Sequence, residues 1–182
     1  MRIVIAGPKG AGKSTIGALL ADQLAMQAVE TDAWIERLHA ERRGERFSCR
    51  QIYNTHGAEY FRALEAEVVQ LCADLEDSVI ITGGSTLLNP DSLQTLVRNS
   101  VLVLLTGNTD VLWTRIARRG LPQWLQGENG RETYDQQVRE REAIIRPHAQ
   151  IVLDSTDDSP NDLAQHARDE IFSLLDKTGE KT

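Results

Sequence analysis

Residues 1–26 read MRIVIAGPKGAGKSTIGALLADQLAM, and the fold class is decided within them. Arg2–Ala6 is an apolar run of strand length, and Gly7–Ser14 (GPKGAGKS) satisfies the pattern G-x-x-x-x-G-K-[ST]. From Lys13 onward, Ile16, Leu19, Leu20 and Leu24 recur at helical spacing. A strand that turns through glycines straight into an amphipathic helix is the context this motif requires. Glycines let successive backbone N–H groups converge on phosphate oxygens, and the positive end of the helix dipole adds to their field. On this reading Gly10, Ala11, Gly12, Lys13, Ser14 and Thr15 bind a nucleotide. Lys13 reaches the β- and γ-phosphates as a catalytic charge, and the Ser14 hydroxyl is a ligand to Mg²⁺. The competing reading is a glycine-rich turn with an incidental Lys-Ser pair.

Outward from this unit, the alternation continues. Further apolar runs lie at Gln27–Glu30, Val79–Thr82, Val101–Leu105 and Ile151–Leu153. Between and after them, helical patterns occupy Thr31–Arg43, Ala58–Leu75, Asp91–Arg98, Asp110–Arg118, Arg131–Arg146 and Pro160–Leu175. Such alternation predicts an α/β fold in three layers, a five-stranded parallel sheet with helices on both faces. The runs lack polar alternation, which predicts strands buried on both faces. One segment, Arg119–Gly130 (RGLPQWLQGENG), carries no helical period and is either a functional lid or a disordered loop. Residues 1–176 then read as a single domain and Lys177–Thr182 as a polar tail.

Composition narrows the function classes. The 182 residues are 41% hydrophobic and 26% charged, with 20 Lys plus Arg against 27 Asp plus Glu and a net charge of −7. That sign argues against a nucleic-acid partner but leaves room for a local basic site. No apolar run approaches the ~18 residues that span a bilayer, and the N-terminus lacks a signal-peptide core, so a cytoplasmic chain without a membrane partner is expected. Cys49 and Cys72 have no C-x-x-C partner and no His at ligand spacing, which predicts two buried thiols in a reducing compartment.

Four segments carry a family resemblance: GPKGAGKST at Gly7, ETDAWIE at Glu30, GAEYFRALE at Gly57 and ITGGS at Ile81. Over about residues 1–156 the chain resembles the shikimate kinases, a group of P-loop small-molecule kinases. The resemblance implies a mobile lid at about residues 119–130, ATP with Mg²⁺, and phosphoryl transfer to the 3-hydroxyl of shikimate; separately, a monomer is expected. It places the substrate-hydroxyl contact on Asp32 and the Mg²⁺-linked acid on Glu30, where the family has Asp. Physically, a carboxylate just past the second strand can orient or deprotonate an attacking hydroxyl. Asp32 is equally suited to capping a helix that begins at Ala33.

The same register makes Arg62 and Arg141 ligands of the substrate carboxylate, for which a guanidinium offers two parallel donors. Glu65 sits three residues beyond Arg62, at the spacing to hold it. A solvated helix position for Arg62, and a merely charged helix face around Arg141, are the bland alternatives. Gly83, Gly84 and Ser85 would set bare backbone against the substrate, Ser85 replacing a third family glycine; a ligand-free turn is the alternative. Arg115 matches the arginine that lies against adenine. The family's lid arginine is absent, its position being taken by Pro122, and Arg118 or Arg119 is expected to supply the catalytic charge instead. Trp124 enters the lid as a latch or a substrate contact. Three rival functions stay open: a kinase of another small anionic polyol, sugar acid or nucleotide; a degenerate ATP-binding regulator; and a GTPase, weakened by the lack of an NKxD motif.

Overall fold

All five apolar runs become strands of one parallel sheet, in a computed structural model that describes residues 1–179. The strands β1 (Arg2–Ala6), β2 (Gln27–Glu30), β3 (Ser78–Ile81), β4 (Val101–Thr106) and β5 (Ile151–Asp154) lie in the order β2-β3-β1-β4-β5. Among the described residues seven helices cover it: α1 (Lys13–Gln23), α2 (Thr31–Arg43), α3 (Cys49–Ala73), α4 (Pro90–Val97), α5 (Thr109–Arg119), α6 (Gly130–Ile145) and α7 (Pro160–Gly179). The pleat sorts the core into two layers. Ile3 and Ile5 of β1 face Ile16 and Leu20 of α1, Leu112 of α5 and Ile171 of α7, whereas Val4 and Ala6 face Leu64 and Val68 of α3 and Leu96 of α4.

Burial on both faces holds for β1 and β3, whose residues are all buried, but not at the sheet's edges. In β2 only Val29 is buried, and in β5 Ile151 and Leu153 are buried while Val152 and Asp154 are exposed. An edge strand has one neighbour fewer, so its outer face meets solvent.

Helix α3 begins at Cys49, well before the Ala58 that periodicity predicts. A capping box starts it: Ser48 Oγ accepts from the Gln51 N–H, and the Gln51 side chain accepts from the Ser48 N–H at 2.9 Å. Gly57, at φ 86° and ψ 170°, then breaks the helix into two segments, and the apolar period starts afresh after it. Cys72 is buried as expected, but Cys49 at this exposed helix start is only half-buried. At the other end of the chain α7 runs to Gly179, so Lys177–Gly179 is helix rather than tail; residues 180–182 lie outside the described residues.

From β1 the chain moves to β2 and β3 on one side of the sheet and later to β4 and β5 on the other. The crevice at the carboxyl ends of the strands therefore opens beside β1, where a parallel sheet binds ligands.

Candidate active site

The loop after β1 is a phosphate cradle before any ligand is considered. Gly10 and Gly12 have φ of 91° and 87°, a left-handed conformation that a side chain disfavours. A Cβ on Gly10 would also stand 2.7 Å from the Leu112 carbonyl oxygen. The turn delivers the chain into the N-terminus of α1, and Lys13 Nζ donates to the Gly7 and Pro8 carbonyls at 2.9 and 3.1 Å. Burial pulls the Lys13 ammonium down to about 8, against the attraction of Asp32.

Two cavities flank this loop, with Lys9, Gly10, Gly12, Thr15 and Arg119 in the walls of both. The larger, about 620 Å³, adds Lys13, Ser14, Glu30, Asp32, Gly83, Gly84, Ser85 and Arg141 from the expected set. The second, about 530 Å³, lies between α5 and the start of α7 and is walled by Arg115, Arg118, Asp158 and Leu163. Arg115 is held there, donating from Nη2 to the Thr156 carbonyl at 2.9 Å.

The strand ends are tied into one rim. Thr82 donates through its hydroxyl to the Ile5 carbonyl at 3.0 Å, joining β3 to β1, and the Gly83 N–H donates to Thr31 Oγ1 at 2.8 Å, joining β3 to α2. Asp32 packs on Gly83 so closely that a Cβ there would overlap its carboxylate, and a Cβ on Gly84 would stand 3.1 Å from Arg141 Nη1. The paired glycines thus make room for the two side chains, both of which line the larger cavity. Desolvation raises the Asp32 carboxyl above the usual carboxylate range, with Lys13 opposing, and burial lowers Arg141 from its ordinary value. Asp32 is no N-cap: α2 starts at Thr31, Glu30 occupies the cap position without a side-chain cap bond, and Asp32 lies in the first turn.

Arg62 is not brought to this cavity. It is exposed on α3; Glu65, expected to hold it, is buried, accepts from the Thr86 hydroxyl at 3.1 Å and is also attracted by the Arg62 charge. Arg50 stands in the cavity wall in its place, with Gln137 and Trp124. Nothing in a helical period points to Arg50, because it precedes the break at Gly57. The detectable signal is the Ser48-x-x-Gln51 box, which starts a helix and puts Arg50 in its first turn.

The segment expected to be a lid packs around Leu125. Pro122 opens a short 3₁₀ turn at Gln123–Leu125, Leu125 is buried in the core, and the Leu125 carbonyl abuts Gly130 with no space for a Cβ. The Tyr134 hydroxyl in α6 donates to the Lys9 carbonyl at 2.7 Å, fastening the helix after the lid to the phosphate loop. Of the two candidate arginines, Arg119 borders both cavities and Arg118 only the smaller.

Comparison with known proteins agrees with this geometry. The sequence profile of the family described as shikimate kinase matches residues 9–172. A shikimate kinase of Caldanaerobacter subterraneus is 31% identical over 163 residues, 90% of this chain and 91% of the relative. The chain belongs to the shikimate kinase family. One from Actinobacillus pleuropneumoniae is also 31% identical, over 174 residues covering 96% of this chain and 95% of the relative. Among solved structures, a shikimate kinase from Acinetobacter baumannii in complex with shikimate superposes with a TM-score of 0.84 at 25% identity, covering 95% of this chain and 93% of that one. As a member of the shikimate kinase family the chain is an ATP-dependent kinase, which meets the expectation raised by its motifs, and the five-stranded parallel P-loop fold is the family's own. No described helix is long and apolar enough to cross a membrane.

Proposed function

We propose that this kinase transfers the γ-phosphoryl group of ATP to a hydroxyl of shikimate. The observation that carries the proposal is the lining of the larger cavity: Lys9, Lys13, Arg50, Arg119 and Arg141 against Glu30 and Asp32, in a chain of net charge −7. A cationic chamber sharing a wall with the phosphate loop suits a small anionic acceptor presented to a nucleotide. Adenosine then occupies the second cavity against Arg115. Lys13 and the loop N–H groups hold the β- and γ-phosphates. Asp32 orients the acceptor hydroxyl and takes its proton as the oxygen attacks phosphorus and ADP departs; its raised pKa makes it a stronger base for that step. Gly83, Gly84 and Ser85 give the acceptor a bare backbone seat, and Arg141 with Arg50 binds its carboxylate. Arg62 does not line this cavity.

The Ser14 hydroxyl and the Glu30 carboxylate both open on this cavity and are hard oxygen donors, a set that fits Mg²⁺. Bound there, Mg²⁺ neutralises phosphate charge. Arg119 supplies the lid cation. The proposal treats residues 1–176 as one kinase domain with residues 119–130 as its lid, acting as a monomer; the free thiols at Cys49 and Cys72 accord with a cytoplasmic setting. Trp124 and Ser85 in the wall favour, as a second reading, a different small anionic polyol.

An ADP-release assay on the parent and Lys13→Ala, with shikimate, gluconate and nucleoside monophosphates as acceptors, decides between these. Shikimate-dependent turnover in the parent and none in Lys13→Ala is expected. Turnover with gluconate alone transfers the site to the second reading, and ATP binding without turnover on any acceptor overturns the kinase assignment of the cavity.

A further inference from the structure

Between α2, its connection to α3 and the first segment of α3, three side chains converge that line neither of the cavities beside the phosphate loop. His39 of α2 is fully buried, Glu45 lies in the α2–α3 connection, and His56 ends the first segment of α3. Glu45 Oε2 stands 2.8 Å from His56 Nε2 and 3.2 Å from His39 Nε2, and the three atoms all lie within 4.8 Å of one another. We propose that His39, Glu45 and His56 bind a divalent transition-metal ion of the Zn²⁺ type.

The decisive detail is His39. Its Nε2 is buried, and its polar neighbour is Glu45 Oε2 at 3.2 Å, an electrostatic contact without the alignment of a full hydrogen bond. Its Nδ1 is 3.1 Å from the Tyr60 hydroxyl oxygen. A ligating histidine directs its other ring nitrogen to a hydrogen-bonding partner, which leaves an unprotonated Nε2 facing the metal. In the tautomer whose Nδ1–H donates to the Tyr60 hydroxyl, His39 meets that description. Phe47 stacks on the same ring at 5.6 Å and limits its rotation.

Bonds of ~2.0–2.2 Å in a tetrahedral Zn²⁺ site put neighbouring donor atoms ~3.3–3.6 Å apart. The His39–Glu45 separation is already close to that, and the His56–Glu45 pair opens by about half an ångström. Two imidazoles and one carboxylate favour Zn²⁺, Co²⁺ or Ni²⁺ over Mg²⁺, which prefers oxygen. Half-burial of Glu45 and His56 leaves an open side for entry and a water ligand. Bound there, the ion would join α2, its connection and the residue before the Gly57 break, fastening the module that carries Asp32 and Arg50.

The test uses the full chain, stripped with a chelator and held in excess Mg²⁺ so that the oxygen-ligand site is satisfied. Calorimetry with ZnCl₂ should show one equivalent bound at micromolar Kd or tighter, with a rise in Tm. Co²⁺ should give visible d–d bands of a four-coordinate ion. Because His39 is buried and its variants can fail to fold, the partly exposed ligands are changed: His56→Gln and Glu45→Gln should each weaken binding at least tenfold and abolish the bands. Tyr60→Phe, which removes only the hydroxyl, should weaken it about 10–100-fold. Cys49→Ser should change nothing. Absence of binding at 100 μM Zn²⁺, equal binding in the two ligand variants, or dependence on Cys49 would each overturn the proposal and leave a histidine–glutamate hydrogen bond.

Discussion

Lys13 shows how one environment sets one side chain's behaviour. The proposed mechanism needs its ammonium on the phosphates, yet burial lowers its pKa to about 8. Nucleotide phosphates favour the protonated form, so ATP affinity should hold below pH 8 and fall above it, with proton uptake growing over the same range. Calorimetry between pH 7 and 9.5 in buffers of different ionisation enthalpy measures both. The acceptor arginines make a second prediction. Arg141→Ala should weaken shikimate binding by about 1.5–3 kcal/mol, the range for a hydrogen bond to a charged group, while ATP affinity moves little. Since Arg50 borders the cavity and Arg62 does not, Arg50→Ala should raise the shikimate KM more than Arg62→Ala. The reverse order would return the carboxylate to Arg62, as the family register has it.

At the scale of elements, the end of α5 leads directly into residues 119–130, the proposed lid. Arg118 and Arg119 are adjacent and both exposed, and only their angular difference on the helix sends Arg119 to the shared wall of the two cavities. A cation on the transferring phosphoryl group is worth roughly 10³–10⁵ in rate in comparable systems. Arg119→Ala should therefore lower kcat by orders of magnitude with ATP binding changed only a few-fold, whereas Arg118→Ala should mainly affect nucleotide KM. Equal, small effects of both changes on kcat would exclude a relocated lid arginine.

For the whole molecule, the opposite signs of the chain and its main cavity are reconciled by burial. An acidic exterior surrounds a chamber where cations cluster, and carboxylates trapped near it pay in desolvation. Glu65 is the buried example, raised above its ordinary range by desolvation despite the Thr86 hydroxyl. A carboxyl raised in the folded state stabilises fully below its unfolded pKa, and that contribution is lost as pH rises through the folded value. Glu65→Gln keeps the acceptor for Thr86 without the charge. Its Tm should exceed the parent's at pH 7 and converge with it near pH 4, at about 2–4 °C per kcal/mol for a chain of this size. A lower Tm at pH 7 would mean that attraction to Arg62 outweighs desolvation.

The sheet, the phosphate loop and the kinase class were legible in the residues themselves, because strand and helix periods and the Gly7–Ser14 spacing are local properties of the chain. Lys13 and Ser14 were legible from the same motif spacing, and Asp32 and the Gly83–Gly84 pair because each closely follows the end of a strand that must open on the crevice. Arg50, the exposure of Arg62 and the choice between Arg118 and Arg119 were not. They depend on how the two segments of α3 and the end of α5 pack against the sheet, and periodicity across a break such as Gly57 carries no phase from one segment to the next. The convergence of His39, Glu45 and His56 belongs to this second kind, since residues spread over two helices and their connection meet only when tertiary packing closes them together.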